Sequence, residues 1–142
     1  MTSGKRLSGT TWRKVFERAK GCCEYCRSQD CYSPDAFSIE HIIPKARGGG
    51  NDFDNLALAC QGCNGHKADK TRARDPHSRK LVRLFHPRHQ KWDDHFAWNE
   101  DFTLVVGLTT TGRATVATLN LNRQRLGNLR TVLRILKRHP TE

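Results

Sequence analysis

Long hydrophobic runs are missing from this 142-residue chain, and no apolar stretch comes near the ~20 residues that a helix needs to cross a bilayer. The composition therefore excludes a membrane-spanning helix. The N-terminus, Met1-Thr2-Ser3-Gly4-Lys5-Arg6, carries charge with no apolar segment behind it, which predicts no secretory signal and a cytoplasmic protein. Hydrophobic residues make up only 36%, too few for a generous core at this length, so something besides apolar burial must staple the fold. Acid is scarce as well. Against 25 Lys and Arg stand 14 Asp and Glu, a formal net charge of +11, which favours a polyanionic partner such as nucleic acid. The length predicts one domain, or one small domain with an extension, and excludes a large multidomain enzyme. No internal repeat is visible.

What the chain does have is six cysteines: Cys22, Cys23, Cys26, Cys31, Cys60 and Cys63. In a reducing compartment these read as metal ligands and not as disulfides. Cys23-Glu-Tyr-Cys26 and Cys60-Gln-Gly-Cys63 are two C-x-x-C pairs separated by 33 residues. A two-residue turn brings both sulfurs to ~2.3 Å from one ion, so the two pairs predict a closed tetrahedral site for a structural Zn2+. Such a site contributes roughly 10 to 16 kcal/mol to folding, which answers the thin core. A redox dithiol would need only one pair. Cys22 and Cys31 are read as bystanders.

Periodicity places a helix over Trp12, Val15, Phe16 and Ala19, with Thr10 or Thr11 as N-cap and Gly21 at its end. Ser38 to Ile43 reads as a strand stopped by Pro44, and Leu56 to Ala59 as its hairpin partner across a glycine-rich loop. A basic helix is expected from Gln61 to about Arg74, closed by Asp75-Pro76. Beyond it, Phe102 to Leu108 and Thr115 to Leu119 look like two strands around the turn Thr110 to Gly112. A terminal helix from about Asn122 sets Leu126, Leu129, Leu133 and Leu136 on one stripe and Arg123, Arg130, Arg134 and Lys137 on the next.

Between the cysteine pairs sits Ser38-Ile-Glu40-His41-Ile-Ile-Pro44-Lys-Ala-Arg-Gly48-Gly-Gly-Asn51-Asp-Phe-Asp54-Asn55-Leu56, and directly after Cys63 comes Asn64-Gly-His66-Lys67. Over about Cys23 to Thr71 this order resembles the HNH endonuclease family: acid-His before a proline, a glycine-rich connection, Asn-Leu, then C-x-x-C followed by Asn and by Lys three residues on. The resemblance implies an α+β fold built on a ββα-metal (His-Me finger) core stapled by the four-cysteine zinc site. An N-terminal helix precedes the core and a β-hairpin plus helix follows it. Residues 1–9 read as a disordered basic arm, 10–75 as the nuclease domain and 76–142 as a basic extension packing on the finger.

The chemistry of phosphodiester hydrolysis needs a base to activate water and a cation to neutralise charge on the phosphoryl group. His41 is the candidate base, because imidazole exchanges a proton near neutral pH. The resemblance implies that Glu40 and Asn64 ligate a catalytic Mg2+ or Mn2+ and that Asn55 brackets the loop. It makes Lys67 a phosphate contact, and cleavage would leave 5′-phosphate ends. His66, Lys70 and Arg72 are read as further substrate contacts. Two features strain this set: Glu40 and His41 are adjacent, so on a regular strand they point to opposite faces, and Asn64 and His66 lie about 200° apart on a helix.

The charge is uneven: residues 31–66 carry a net −2 and residues 67–91 a net +7. A polyanion gripped around a less basic site fits that pattern. The sequence thus predicts an endonuclease acting on DNA, with RNA as the alternative substrate and no membrane partner. The rival is a zinc-stapled module that binds nucleic acid without cutting it. Phe85, Trp92, Phe96 and Trp98 are expected to pack the extension onto the finger.

Overall fold

A computed structural model of the chain describes residues 7–141; of the disordered arm expected over residues 1–9, residues 1–6 lie outside the described residues, while Ser8 and Gly9 cap and begin the first helix. Helix α1 (Gly9–Arg18) buries Val15 and stacks Trp12 on Phe16 at 4.9 Å. Its cap is Ser8 and not Thr10 or Thr11: the Ser8 hydroxyl accepts from Thr11 N at 3.1 Å, and Leu7 packs on the core. The chain leaves α1 through Lys20 and Gly21, both at positive φ, and enters the first cysteine pair.

Strand β1 (Ser38–His41) pairs antiparallel with β2 (Leu56–Ala59), Ser38 opposite Ala59 and His41 opposite Leu56. All four residues of β2 are buried, which is why it reads as an unbroken apolar run rather than an alternating one. Helix α2 (Gln61–Lys67) follows, its N-cap being Cys60, whose Sγ accepts from Cys63 N at 3.4 Å. β1, β2 and α2 make the ββα finger.

The helix expected to run to Arg74 stops seven residues earlier, at Lys67, with Ala68 at φ 51°. Arg72–Arg74 is instead strand β3, paired with β4 (Leu81–Arg83). The hairpin wins because Asp75 closes its turn. This fully buried carboxylate accepts from His77 N and Ser78 N and holds Arg113 through two bonds of 2.9 Å, well below the ordinary carboxylate pKa, first through the guanidinium and then through the turn donors.

The second half adds a single helical turn α3 (Trp92–His95), then β5 (Phe96–Trp98) paired with β6 (Val105–Gly107), helix α4 (Thr110–Thr118) and helix α5 (Gln124–Ile135). The strand expected over Thr115–Leu119 is therefore a helix, and the hairpin partner of β6 comes from before it, not after. Thr109 caps α4 by accepting from Gly112 N at 2.9 Å. A side chain on Gly112 would meet His95 O at 2.1 Å, so this glycine lets α4 lie against the hairpin.

One core runs through both halves: Tyr25, Phe37, Leu56 and Leu58 of the finger side meet Leu84, Phe85, Trp92, Phe96 and Leu119. Two polar ties reinforce it, Trp92 Nε1 to Tyr25 O at 2.9 Å and an ion pair between Arg88 and Glu24. Of the basic stripe expected on α5, Arg134 and Lys137 are exposed, whereas Arg130 turns inward. Arg130 is 4% exposed, donating to Leu121 O and Thr103 O over the Trp98 ring. On the apolar stripe Leu126 and Leu133 are buried while Leu136 is exposed. Among the described residues no helix is long and apolar enough to cross a membrane.

Candidate functional site

The four sulfurs of Cys23, Cys26, Cys60 and Cys63 come together from the two turns, all within 4.8 Å of one another and all on buried residues. A tetrahedron with Zn–S bonds of ~2.3 Å has S···S edges of about 3.8 Å, and Cys26 Sγ lies 3.7 Å from Cys60 Sγ. The donor set and its spacing fit zinc, with four protein ligands and no position left for water. Cys22 and Cys31 stay outside the cluster. Arg123, the residue before α5, places Nη2 at 3.3 Å from Cys60 Sγ and Nη1 at 3.7 Å from Cys63 Sγ. A zinc ion with four thiolates carries a net −2, so a guanidinium here offsets buried negative charge and ties the extension to the knuckle. Arg123 escaped the sequence reading because it lies 60 residues from the cysteines it meets.

Within the finger, β1 alternates as a strand must. Glu40 points inward and is 4% exposed: Tyr25 donates its hydroxyl to Oε1 at 2.5 Å, and Lys67 Nζ stands 2.5 Å from Oε2. Burial pushes the Glu40 carboxyl up, against the pull of Lys67 and Tyr25. Lys67, 1% exposed, also donates to Ile42 O at 2.9 Å. Lys67, expected as a phosphate contact, thus lies at the end of α2 with its ammonium engaged inside the finger by Glu40 and Ile42 O. Glu40 in this arrangement does not fit a divalent cation, since an ammonium already occupies the cation's place on its carboxylate. Tyr25, inside the first C-x-x-C, is the third member of this cluster and carried no sequence signal.

His41 points to the other face, half-buried, with Nε2 2.8 Å from Asn51 Oδ1. Asn51 follows the three glycines and is a third residue, after Arg123 and Tyr25, that the sequence reading passed over. Asn55 spans the loop between the strands: Oδ1 accepts from Ile43 N at 2.8 Å, while Nδ2 donates to Ile43 O at 3.0 Å and Gly50 O at 2.8 Å. A side chain at Gly49 would come within 1.7 Å of Ile43 O, so the loop closes against the strand only with glycine there. Asn64, half-buried, sits one turn before Lys67 on α2, and the i, i+3 spacing sets it beside that side chain. His66, Lys70 and Arg72 are exposed.

The family model described as HNH endonuclease matches residues 23–70, about a third of the chain. These residues form an HNH domain. A comparison with curated proteins finds no match. The HNH segment contains both cysteine pairs, Glu40, His41, Asn51, Asn55, Asn64 and Lys67, so the four-cysteine cluster lies within it and ties its two ends together. A nuclease domain of this kind implies a nucleic-acid substrate.

Proposed function

We propose that the protein is an endonuclease that hydrolyses phosphodiester bonds in DNA in the presence of Mg2+ or Mn2+, with His41 as general base. The observation that carries this reading is the imidazole of His41. It stands at the β1–β2 connection of the HNH segment, on the face of β1 away from the core, and its ring is oriented through Nε2 by Asn51. When the Asn51 amide oxygen accepts from Nε2–H, the unprotonated nitrogen is Nδ1, which takes the proton from an attacking water. Asn55 keeps the loop that bears Asn51 closed on the strand that bears His41. The buried Glu40–Lys67–Tyr25 cluster positions that strand from beneath. Mg2+ or Mn2+, when bound, supplies charge neutralisation on the phosphoryl and leaving oxygens; no step here is assigned through Glu40, whose carboxylate is engaged. The exposed Lys70, Arg72 and His66 serve as phosphate contacts around the site.

A second reading is favoured by one specific observation, the Lys67 ammonium standing on Glu40: a zinc-stapled HNH module that binds nucleic acid without cutting it. Supercoiled plasmid incubated with Mg2+ or Mn2+ separates the two. General-base catalysis is worth about 10² to 10⁴-fold, so His41→Ala should lose cleavage by that factor while keeping its zinc. Equal cleavage by both proteins removes His41 from the chemistry, and binding without cleavage in either ion selects the second reading.

A further inference from the structure

Between the HNH domain and the segments that follow lies a cavity of about 330 Å3. Its finger-side wall is Arg47 with Ile42 and Ile43, the two residues that follow His41; the opposite wall includes Arg72, Arg83 and His86. Lys67 lines it as well, and among the described residues no carboxylate does. Arg72 and Arg83 are direct cross-strand partners in the β3–β4 hairpin, whose other face, Ala73 and Val82, packs on the core. Like charges set opposite one another destabilise a hairpin. Among the described residues neither arginine belongs to an ion pair, those being Lys67–Glu40, Arg88–Glu24 and Arg113–Asp75. The fold therefore holds a repulsion that a bound anion would relieve.

The rest of the wall is prepared for the same guest. Arg47 is steadied at the mouth by its Nε donating to Asp69 O at 2.9 Å. His86 Nδ1 accepts from Arg88 N at 3.2 Å and His89 N at 3.3 Å, so the neutral ring carries its hydrogen on Nε2 and is a donor there. His89 stacks on it at 3.9 Å between ring centroids. The segment is anchored by the Arg88–Glu24 ion pair and by Trp92 on Tyr25 O, so the wall is in place before anything binds.

We propose that this cavity is a phosphate-binding subsite for the strand on which the HNH domain acts. Arg72 and Arg83 clamp a backbone phosphate other than the one presented to His41. The proposal rests on the nuclease reading above and adds where the flanking strand lies.

The test measures binding of labelled single- and double-stranded DNA and RNA oligonucleotides by fluorescence anisotropy across a salt series, with His41→Ala in every protein to keep the probe intact. Each phosphate neutralised adds about 0.7 to 0.9 to the salt slope, so Arg72→Gln/Arg83→Gln should lower that slope by roughly 1 to 2 and weaken binding at low salt by tenfold or more. The unliganded double variant should melt at or above the parent temperature, because a repulsion has been removed, and Arg72→Lys/Arg83→Lys should retain most of the slope. Arg125→Gln/Arg138→Gln, an equal loss of charge at two exposed arginines away from the cavity, should change the slope less. A parental slope in Arg72→Gln/Arg83→Gln, or an equal loss in the Arg125/Arg138 pair, overturns the subsite and leaves the nuclease reading standing. A parent that binds no oligonucleotide overturns both.

Discussion

Replacing Lys67 by Met tests the interior of the finger most directly, since the side chain keeps its length and loses only the ammonium. In the wild-type structure that ammonium lies 2.5 Å from Glu40 Oε2 and 2.9 Å from Ile42 O, with both residues almost wholly buried. Stranding one member of such a pair costs about 3–5 kcal/mol. The cost has a ceiling, because Glu40 can take a proton instead: at pH 7 that costs about 3.7 kcal/mol for a carboxyl with an ordinary pKa of ~4.3. Lys67→Met should therefore lose about 3–4 kcal/mol at pH 7. Burial already raises the folded-state pKa of Glu40 in the wild type, and removing Lys67 takes away a group that lowers it. A folded pKa above the unfolded one gives stability that is present at low pH and lost as pH rises, so the variant's deficit should shrink by up to ~1.4 kcal/mol per pH unit between pH 7 and about 5. Lys67→Met/Glu40→Gln leaves a neutral amide that still accepts from Tyr25 and should recover most of the loss. Urea denaturation of zinc-loaded proteins at two pH values reads all three quantities. A Lys67→Met deficit below about 1 kcal/mol at pH 7, or one that grows on acidification, would refute the buried pair.

Three further outcomes follow from other parts of the structure. Cys63→Ser should abolish stoichiometric zinc and unfold finger and extension together, as read by metal content and circular dichroism, because roughly 10–16 kcal/mol of folding energy passes through the cluster and both halves share one core. Asn51→Ala should lower kcat for nucleic-acid cleavage by on the order of tenfold to a hundredfold with little change in KM, since it frees the His41 ring without touching bound phosphate; an unchanged kcat would show that the ring needs no such partner. His86 is lowered from 6.5 to about 4, first by burial and then by His89 beside it. A depressed folded pKa gives stability present above 6.5 and lost as pH falls toward 4, so melting temperature should drop across that interval. His86→Asn, which keeps an acceptor for the Arg88 and His89 amides, should flatten the drop.

The parts legible in the linear chain are those whose determinants sit close together along it. The C-x-x-C spacing puts two sulfurs within reach of one ion whatever the rest of the fold does, and the period of Trp12, Val15 and Phe16 defines one face of α1. Leu56–Ala59 reads as a strand because every residue in it is apolar. Where local propensity and tertiary context disagreed, context prevailed. Thr115–Leu119 is β-branched at its start, yet Thr109 caps a helix there and Gly112 lets it approach the β5–β6 hairpin. The basic run after Lys67 has helical composition, yet Asp75, paired with Arg113 from 38 residues on, closes it into a hairpin.

The candidate site divides in the same way. Its zinc ligands, His41 and the pairing of Asn55 with the glycine-rich loop are matters of residue type and order, and the chain alone determined them. Asn51 on His41, Tyr25 and Lys67 on Glu40, and Arg123 on the cysteine cluster are matters of distance between segments up to 63 residues apart. Only the folded structure decided those, because a lysine and a glutamate become a buried pair, and two arginines come to face one another, through the elements that carry them and not through their neighbours in sequence.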